Sequence, residues 1–180
     1  MTFIESPGGE PPDEPLLAEL YAYWLQLRGD RIAPARSDID PVDIPHLLPH
    51  IALTEIVDGD NGAGRRFRYR LAGTQIEQRF GCSLTNRYLD ELKHGGYLHY
   101  IKGLYDRLIA EKAPVYSESS FKTGAADVLQ AKRLMLPLSE DGETVNMVLA
   151  GVVYADSDPN DRTTVLGFQN RFSTSGIDDG

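Results

Sequence analysis

The segment Thr144 to Tyr154 is apolar on both of its faces, and that property limits what the rest of the chain can build around it. Read as a strand, it sets Val145, Met147, Leu149 and Val153 on one side and Val148, Ala150, Val152 and Tyr154 on the other. A strand of this kind has to be covered twice. The covering elements must come from the same chain or from a second copy of it, and 180 residues with 41% apolar content are enough for one domain with one sizeable core.

Candidate covers are legible on both sides of the middle of the chain. From Leu16 to Leu27 the residues Leu16, Leu17, Leu20, Tyr23, Trp24 and Leu27 recur at three- and four-residue spacing, which predicts an amphipathic helix closed by Gly29. Its apolar stripe, with Leu16, Leu20, Trp24 and Leu27 as the candidate interface, either covers the outer face of its own sheet or exchanges within a homodimer. The longest helix is predicted over Tyr97 to Glu111, with Tyr97, Tyr100, Ile101, Leu104 and Leu108 on one stripe, Leu98, Tyr105 and Ile109 widening it, and Lys112 and Pro114 ending it. Shorter helical turns are predicted at Thr74 to Phe80, capped by Thr74 and stopped by Gly81, and at Tyr88 to Leu92.

Four further strands complete the pattern. Ile51 to Val57 and Phe67 to Leu71 flank a glycine-rich link at Gly59 to Gly64, and Phe67, Tyr69 and Leu71 face one way while Arg66, Arg68 and Arg70 face the other. Val115 to Lys122 and Val128 to Leu138 precede the doubly apolar strand, with turns at Gly124 to Asp127 and Glu140 to Gly142. The order predicts an α+β domain: a five-stranded antiparallel sheet with helices on one face and the N-terminal amphipathic helix in addition. Residues 1–14, rich in Pro, Gly and acids, read as a flexible arm; 15–155 form the domain; 156–180 are a C-terminal extension with an apolar knot at Val165, Leu166, Phe168 and Phe172. Pro34 to Pro49 is an irregular connection anchored by Ile44, Leu47 and Leu48.

Charge and cysteine content exclude several functions. A formal net charge of −9, from 27 acidic against 18 basic side chains, repels a phosphate backbone, so nucleic acid is not an expected partner. The arginines of the second strand read as a solvated face or as pairs for the abundant carboxylates. The single Cys82 permits no intrachain disulfide and suits a reducing compartment, where it reads as a small near-buried thiol. The N-terminus has neither a basic start nor an apolar run for export, and no window has the length of a membrane span, so the cytoplasm is the expected location.

No set of residues announces catalysis. His46 and His50 have the spacing of a helical metal pair, but Pro45 and Pro49 break that geometry and the companion glutamate is missing. His94 and His99 flank the start of the long helix at a spacing that does not put them on one face. Asp156, Asp158 and Asn160 imitate the opening of a calcium loop, yet Asp161 and Gly167 stand where its glycine and closing glutamate belong. The link at Gly59 to Gly64 joins two strands and lacks the Lys-Ser/Thr of a phosphate loop, and no serine has a Gly-x-Ser-x-Gly setting. An enzyme would have to assemble groups such as Asp106 and Glu118 with a tyrosine in one pocket.

The segments Tyr23 to Gly29, Pro34 to Pro41, Leu47-Leu48-Pro49, Phe67 to Thr74, Phe80-Gly81, Leu84-Thr85, Arg87, Arg133-Leu134 and Pro137-Leu138 together resemble the PAS superfamily. Within it they are most similar to a bacterial family of compact, often stand-alone PAS proteins common in alphaproteobacteria, over roughly residues 15–155. Two positions depart from that pattern: Cys82 where a basic residue is usual, and Asn86 where glycine is frequent. The Phe80-Gly81-Cys82-Ser83-Leu84 context also differs from the Asn-Cys-Arg-Phe-Leu-Gln type of photoreceptor. The resemblance implies a sensory or regulatory domain that encloses a small molecule between sheet and helices, with dimer or signalling-protein contacts carrying the output, or a ligand-free dimerisation module. It implies no particular cofactor. The implied pocket wall comprises Tyr69, Leu71, Ile76, Phe80, Tyr97, Ile101, Leu104, Tyr105, Phe121, Met135 and Met147. Because no kinase, cyclase or DNA-binding segment is present, a noncovalent partner is expected to receive the signal.

Overall fold

The computed structural model describes residues 12–59, 64–92, 95–122 and 128–156. Five strands, β1 (Ile51–Asp58), β2 (Arg65–Ala72), β3 (Val115–Lys122), β4 (Val128–Leu138) and β5 (Met147–Asp156), form one sheet in the order β2-β1-β5-β4-β3. Every neighbouring pair is antiparallel. The doubly apolar strand thus lies at the centre, as its composition requires. It starts later than its apolar pattern suggests, at Met147, although the backbone of Asn146 already donates to Leu138 O and accepts from Ile56 N–H in the flanking strands. Val145, outside the strand, turns into the inner core instead of sharing a face with Met147.

The two faces are covered by different parts of the chain. The helix α1 (Pro15–Arg28) folds back onto the outer face of its own sheet, where Leu17, Leu20, Tyr21 and Trp24 pack against Leu53, Leu134, Leu136, Leu138 and Leu149. Burial of each large side chain contributes roughly 1.5–3 kcal/mol. The Trp24 indole N–H donates to Pro137 O at 2.9 Å, so its polar atom is satisfied in the core. The helix comes so close that a Cβ on Gly151 would lie 2.7 Å from Leu20 Cδ2 and 2.8 Å from Leu17 Cδ2. Any side chain there would force Leu17 and Leu20 to shift within the packed outer core.

The irregular segment after α1 extends this cover through Ala33, Ile39, Ile44 and Leu47. At its end, Leu48 and Pro49 press on Gly73, where a Cβ would fall 2.1 Å from Leu48 O. The short helix α2 (Thr74–Phe80) begins at once, with Gly73 rather than Thr74 as its N-cap, and ends at left-handed Gly81 with φ 70°.

The inner face is covered by α2, α3 (Leu89–Leu92) and α4 (Gly95–Glu111). Ile101, Leu104, Tyr105 and Leu108 form the buried stripe of α4, and the Tyr105 ring stacks on Phe67 with centroids 4.1 Å apart. Asn86 has φ 66°, a left-handed conformation that asparagine tolerates better than most residues and glycine adopts freely. Both residue types therefore serve at this turn.

One expected face is wrong in β2. The β1–β2 register slips between Leu53 and Thr54, so that Leu53 pairs with Leu71 while Thr54 pairs with Tyr69. The extra residue, Arg70, is a bulge that moves Leu71 to the outer face, where it is 42% exposed. The strand's arginines meet carboxylates: Arg66 holds Asp90 at 2.8 Å, and Arg68 and Arg70 both reach Glu55. Arg66 also lies over the Tyr88 ring at 3.7 Å. Cys82 is exposed, contrary to the near-buried thiol expected of it.

Candidate functional site

A cavity of about 30 Å3 lies between the inner sheet face and the helices. The sheet contributes Ala52 from β1, Tyr69 from β2, Arg133 and Met135 from β4, and Ala150, Val152 and Tyr154 from β5. The helical side contributes Ile76 and Phe80 from α2, Leu89 from α3, and Tyr97, Ile101 and Tyr105 from α4. Strand alternation explains the sheet half: Ala150, Val152 and Tyr154 face inward while Leu149 packs outward. Among the described residues the wall is apolar apart from four tyrosines and one arginine.

Those polar groups are specific in their placement. Tyr105 donates its hydroxyl to Thr54 Oγ1 at 2.9 Å, both groups being buried. Arg133, only 6% exposed, donates from Nη2 to the Tyr97 hydroxyl at 3.3 Å. Its Nη1 is buried with no hydrogen-bond partner among the described residues, and so is the hydroxyl of Ser117, which stands opposite Arg133 across the β3–β4 ladder. Arg79 sits over the Tyr154 ring at 5.6 Å, outside the wall.

Burial raises the Tyr69 hydroxyl well above its ordinary value and pushes Tyr105 and Tyr154 up to about 12, with Arg133 pulling modestly the other way. All three are neutral phenols at physiological pH. Burial alone would lower the pKa of Arg133, but the tyrosine oxygens around it outweigh that effect, and the guanidinium stays charged. Among the described residues the wall therefore carries one formal positive charge and no carboxylate.

Of the residues expected to line a pocket, the structure brings together Tyr69, Ile76, Phe80, Tyr97, Ile101, Tyr105 and Met135. Leu104 is buried in the same core without reaching the cavity. Leu71 and Met147 do not belong there: the bulge turns Leu71 outward, and Met147 packs against the outer cluster with Leu149. The Phe121 side chain lies outside the described residues. Of the expected interface, Leu20 and Trp24 are buried within the chain's own outer core, and Leu16 and Leu27 are half-buried against it. Arg133 was not foreseen. Its signal was available, since a lone basic residue alternates with Ala131 and Met135 in a strand whose other face reads Leu134, Leu136, Leu138.

His46 pairs with Glu19 at 2.9 Å rather than with His50. Among the described residues no group of three or more His, Cys, Asp or Glu side chains could hold a metal ion. His94 and the acidic loop from Asp158 lie outside the described residues, as do the arm over 1–11 and the tail from 157. No helix among the described residues is long and apolar enough to cross a membrane.

A family profile described as a PAS domain matches residues 13–153. The chain belongs to the PAS domain family. A solved structure, the PAS domain of Bordetella pertussis BvgS, is similar at 12% identity with a TM-score of 0.46, covering 85% of this chain and 95% of that one. No curated protein matches. PAS domains are sensory and signalling modules rather than catalysts, and this PAS domain is assigned that general role.

Proposed function

We propose that this PAS domain is a small-molecule sensor whose ligand occupies the cavity on the inner sheet face and whose output is a change in the packing of α1. The observation that carries this reading is the sharing of β5 between the two sides. Ala150 and Val152 form part of the cavity wall, while Gly151 between them is the close-packed seat of Leu17 and Leu20 of α1. A ligand that displaces β5 inward or outward by a few tenths of an ångström alters that seat, because interiors at crystal-like density do not absorb such shifts. The signal then passes to a second copy or to a signalling protein through the exposed side of α1. The compact, alphaproteobacterial-type PAS proteins remain the subgroup that its motifs fit best, and 15–155 the unit that folds.

A ligand-free dimerisation module is the second reading. It is favoured by the volume of the cavity, which at about 30 Å3 has room for a few heavy atoms only.

Trp24 provides the test. It is the only tryptophan, and it lies on α1 against β4. Native mass spectrometry of freshly purified protein beside a denatured control identifies any retained molecule, and adding that molecule back to stripped protein is expected to shift Trp24 emission. An unchanged emission with the cavity occupied removes the proposed output; a protein that never retains or binds a small molecule leaves the dimerisation module.

A further inference from the structure

The geometry points to a short-chain organic carboxylate as the molecule that this cavity takes, held through its two oxygens by the buried guanidinium of Arg133. This assignment rests on the sensor reading above and supplies its ligand class.

Three observations converge on it. First, several partly exposed arginines have carboxylate partners, Arg66 with Asp90 at 2.8 Å and Arg31 with Asp38 at 2.7 Å, whereas among the described residues no acidic side chain lines the cavity beside the buried Arg133. An unpaired buried cation is among the most unfavourable groups a core can contain. A fold that maintains one retains a standing demand for an anion from outside. Second, the guanidinium is only partly engaged, with Nη2 on the Tyr97 hydroxyl and Nη1 without a hydrogen-bond partner among the described residues. The planar fork of an arginine matches the two oxygens of a carboxylate. Third, the remaining wall fits the rest of such a molecule. Ile76, Met135, Ala150 and Val152 are aliphatic or soft and suit a short alkyl tail, and the volume of about 30 Å3 favours the smallest members of the class, formate and acetate, over propionate and butyrate. Phosphate or sulfate would leave that apolar half empty and would set its additional oxygens against it without donors.

The tyrosines make the same distinction. Burial keeps them protonated, so they neutralise no part of the positive charge and can donate hydrogen bonds to an anion.

The test is calorimetric titration of the wild-type protein with formate, acetate, propionate and butyrate at constant ionic strength, with acetamide, propionamide, chloride and phosphate as controls. Saturable binding of at least one carboxylate is expected, with its amide at least about tenfold weaker, since the amide has the same shape and lacks the charge. Arg133→Met is expected to abolish that binding, and Ala150→Val, which keeps the arginine and fills the cavity, to weaken it at least about tenfold. Circular dichroism of each variant separates lost binding from lost folding; if Arg133→Met does not fold, Ala150→Val and the amide comparison still decide.

Equal binding of carboxylate and amide, or of chloride and phosphate with acetate, overturns the carboxylate assignment. So does the absence of saturable binding by the wild type. In any of those cases, a neutral molecule retained in native mass spectrometry leaves the sensor reading standing, and an empty protein removes both.

Discussion

The two faces of the sheet are built to different standards. On the outer face, α1 and the segment behind it meet a leucine-rich surface, the single indole N–H is satisfied by Pro137 O, and Gly151 is the residue that permits contact. On the inner face, tyrosines and a charged arginine share the space with aliphatic groups and a cavity persists; buried polar atoms without a hydrogen-bond partner occur on both sides, Arg133 Nη1 and Ser117 Oγ inside and the Tyr21 hydroxyl outside. Both faces contribute a buried apolar cluster, but the inner one also encloses polar groups and a cavity. Such a division is the usual signature of function placed within a stable scaffold.

Mutations that treat the faces unequally would break this contrast or sharpen it. Trp24→Ala removes the largest buried side chain of the outer core and its hydrogen bond, and is expected to destabilise the protein by about 3–5 kcal/mol in urea unfolding. The neighbours Gly151 and Ala150 form a sharper pair. Gly151→Ala introduces a Cβ into contact with Leu17 and Leu20 and is expected to destabilise by about 1–3 kcal/mol, while Ala150→Val, facing the cavity, should change stability by less than about 1 kcal/mol. Similar losses for both would mean that the inner face is packed as tightly as the outer one.

Arg133→Met is expected to raise the unfolding free energy by about 1 kcal/mol in urea unfolding, because a buried charge with no counter-ion among the described residues gives way to an apolar side chain of similar length. A substantial loss of stability would show instead that Arg133 is a structural element.

The smallest effect is spectroscopic. Tyr105 and Tyr154 are raised from the ordinary 10.0 to about 12, so their neutral forms stabilise the fold fully below pH 10, and that contribution is lost as pH rises through about 12. Absorbance at 295 nm during alkaline titration should therefore rise in two steps, exposed tyrosines first and the inner-face group later. Ionisation of every tyrosine near pH 10 with the fold intact would contradict the enclosure of the site.

The outer face was the more legible of the two in the amino-acid order. The spacing of Leu17, Leu20 and Trp24, the doubly apolar β5 and the stripe of α4 each follow from regular periodicity, and the sheet followed from them. Leu71 was misplaced because a bulge adds one residue and reverses every later side chain, and nothing in Tyr69-Arg70-Leu71 marks it. Met147 was misassigned for a different reason: with both faces of β5 apolar, alternation says which residues share a side but not which side holds the cavity. Arg133 was passed over because arginine is ordinarily read as surface, and only the apolar residues on both sides of it in β4 argue otherwise.

The return of α1 to the far end of the chain also has a consequence for synthesis. The helix emerges early, yet the carbonyl that receives the Trp24 indole lies 113 residues further on, and the glycine seat for Leu17 and Leu20 comes later still. At roughly 5–20 residues per second, Trp24 leaves the ribosome about 6–23 s before its acceptor leaves it. During that interval the apolar stripe of α1 has no native surface to cover and is open to non-native contacts.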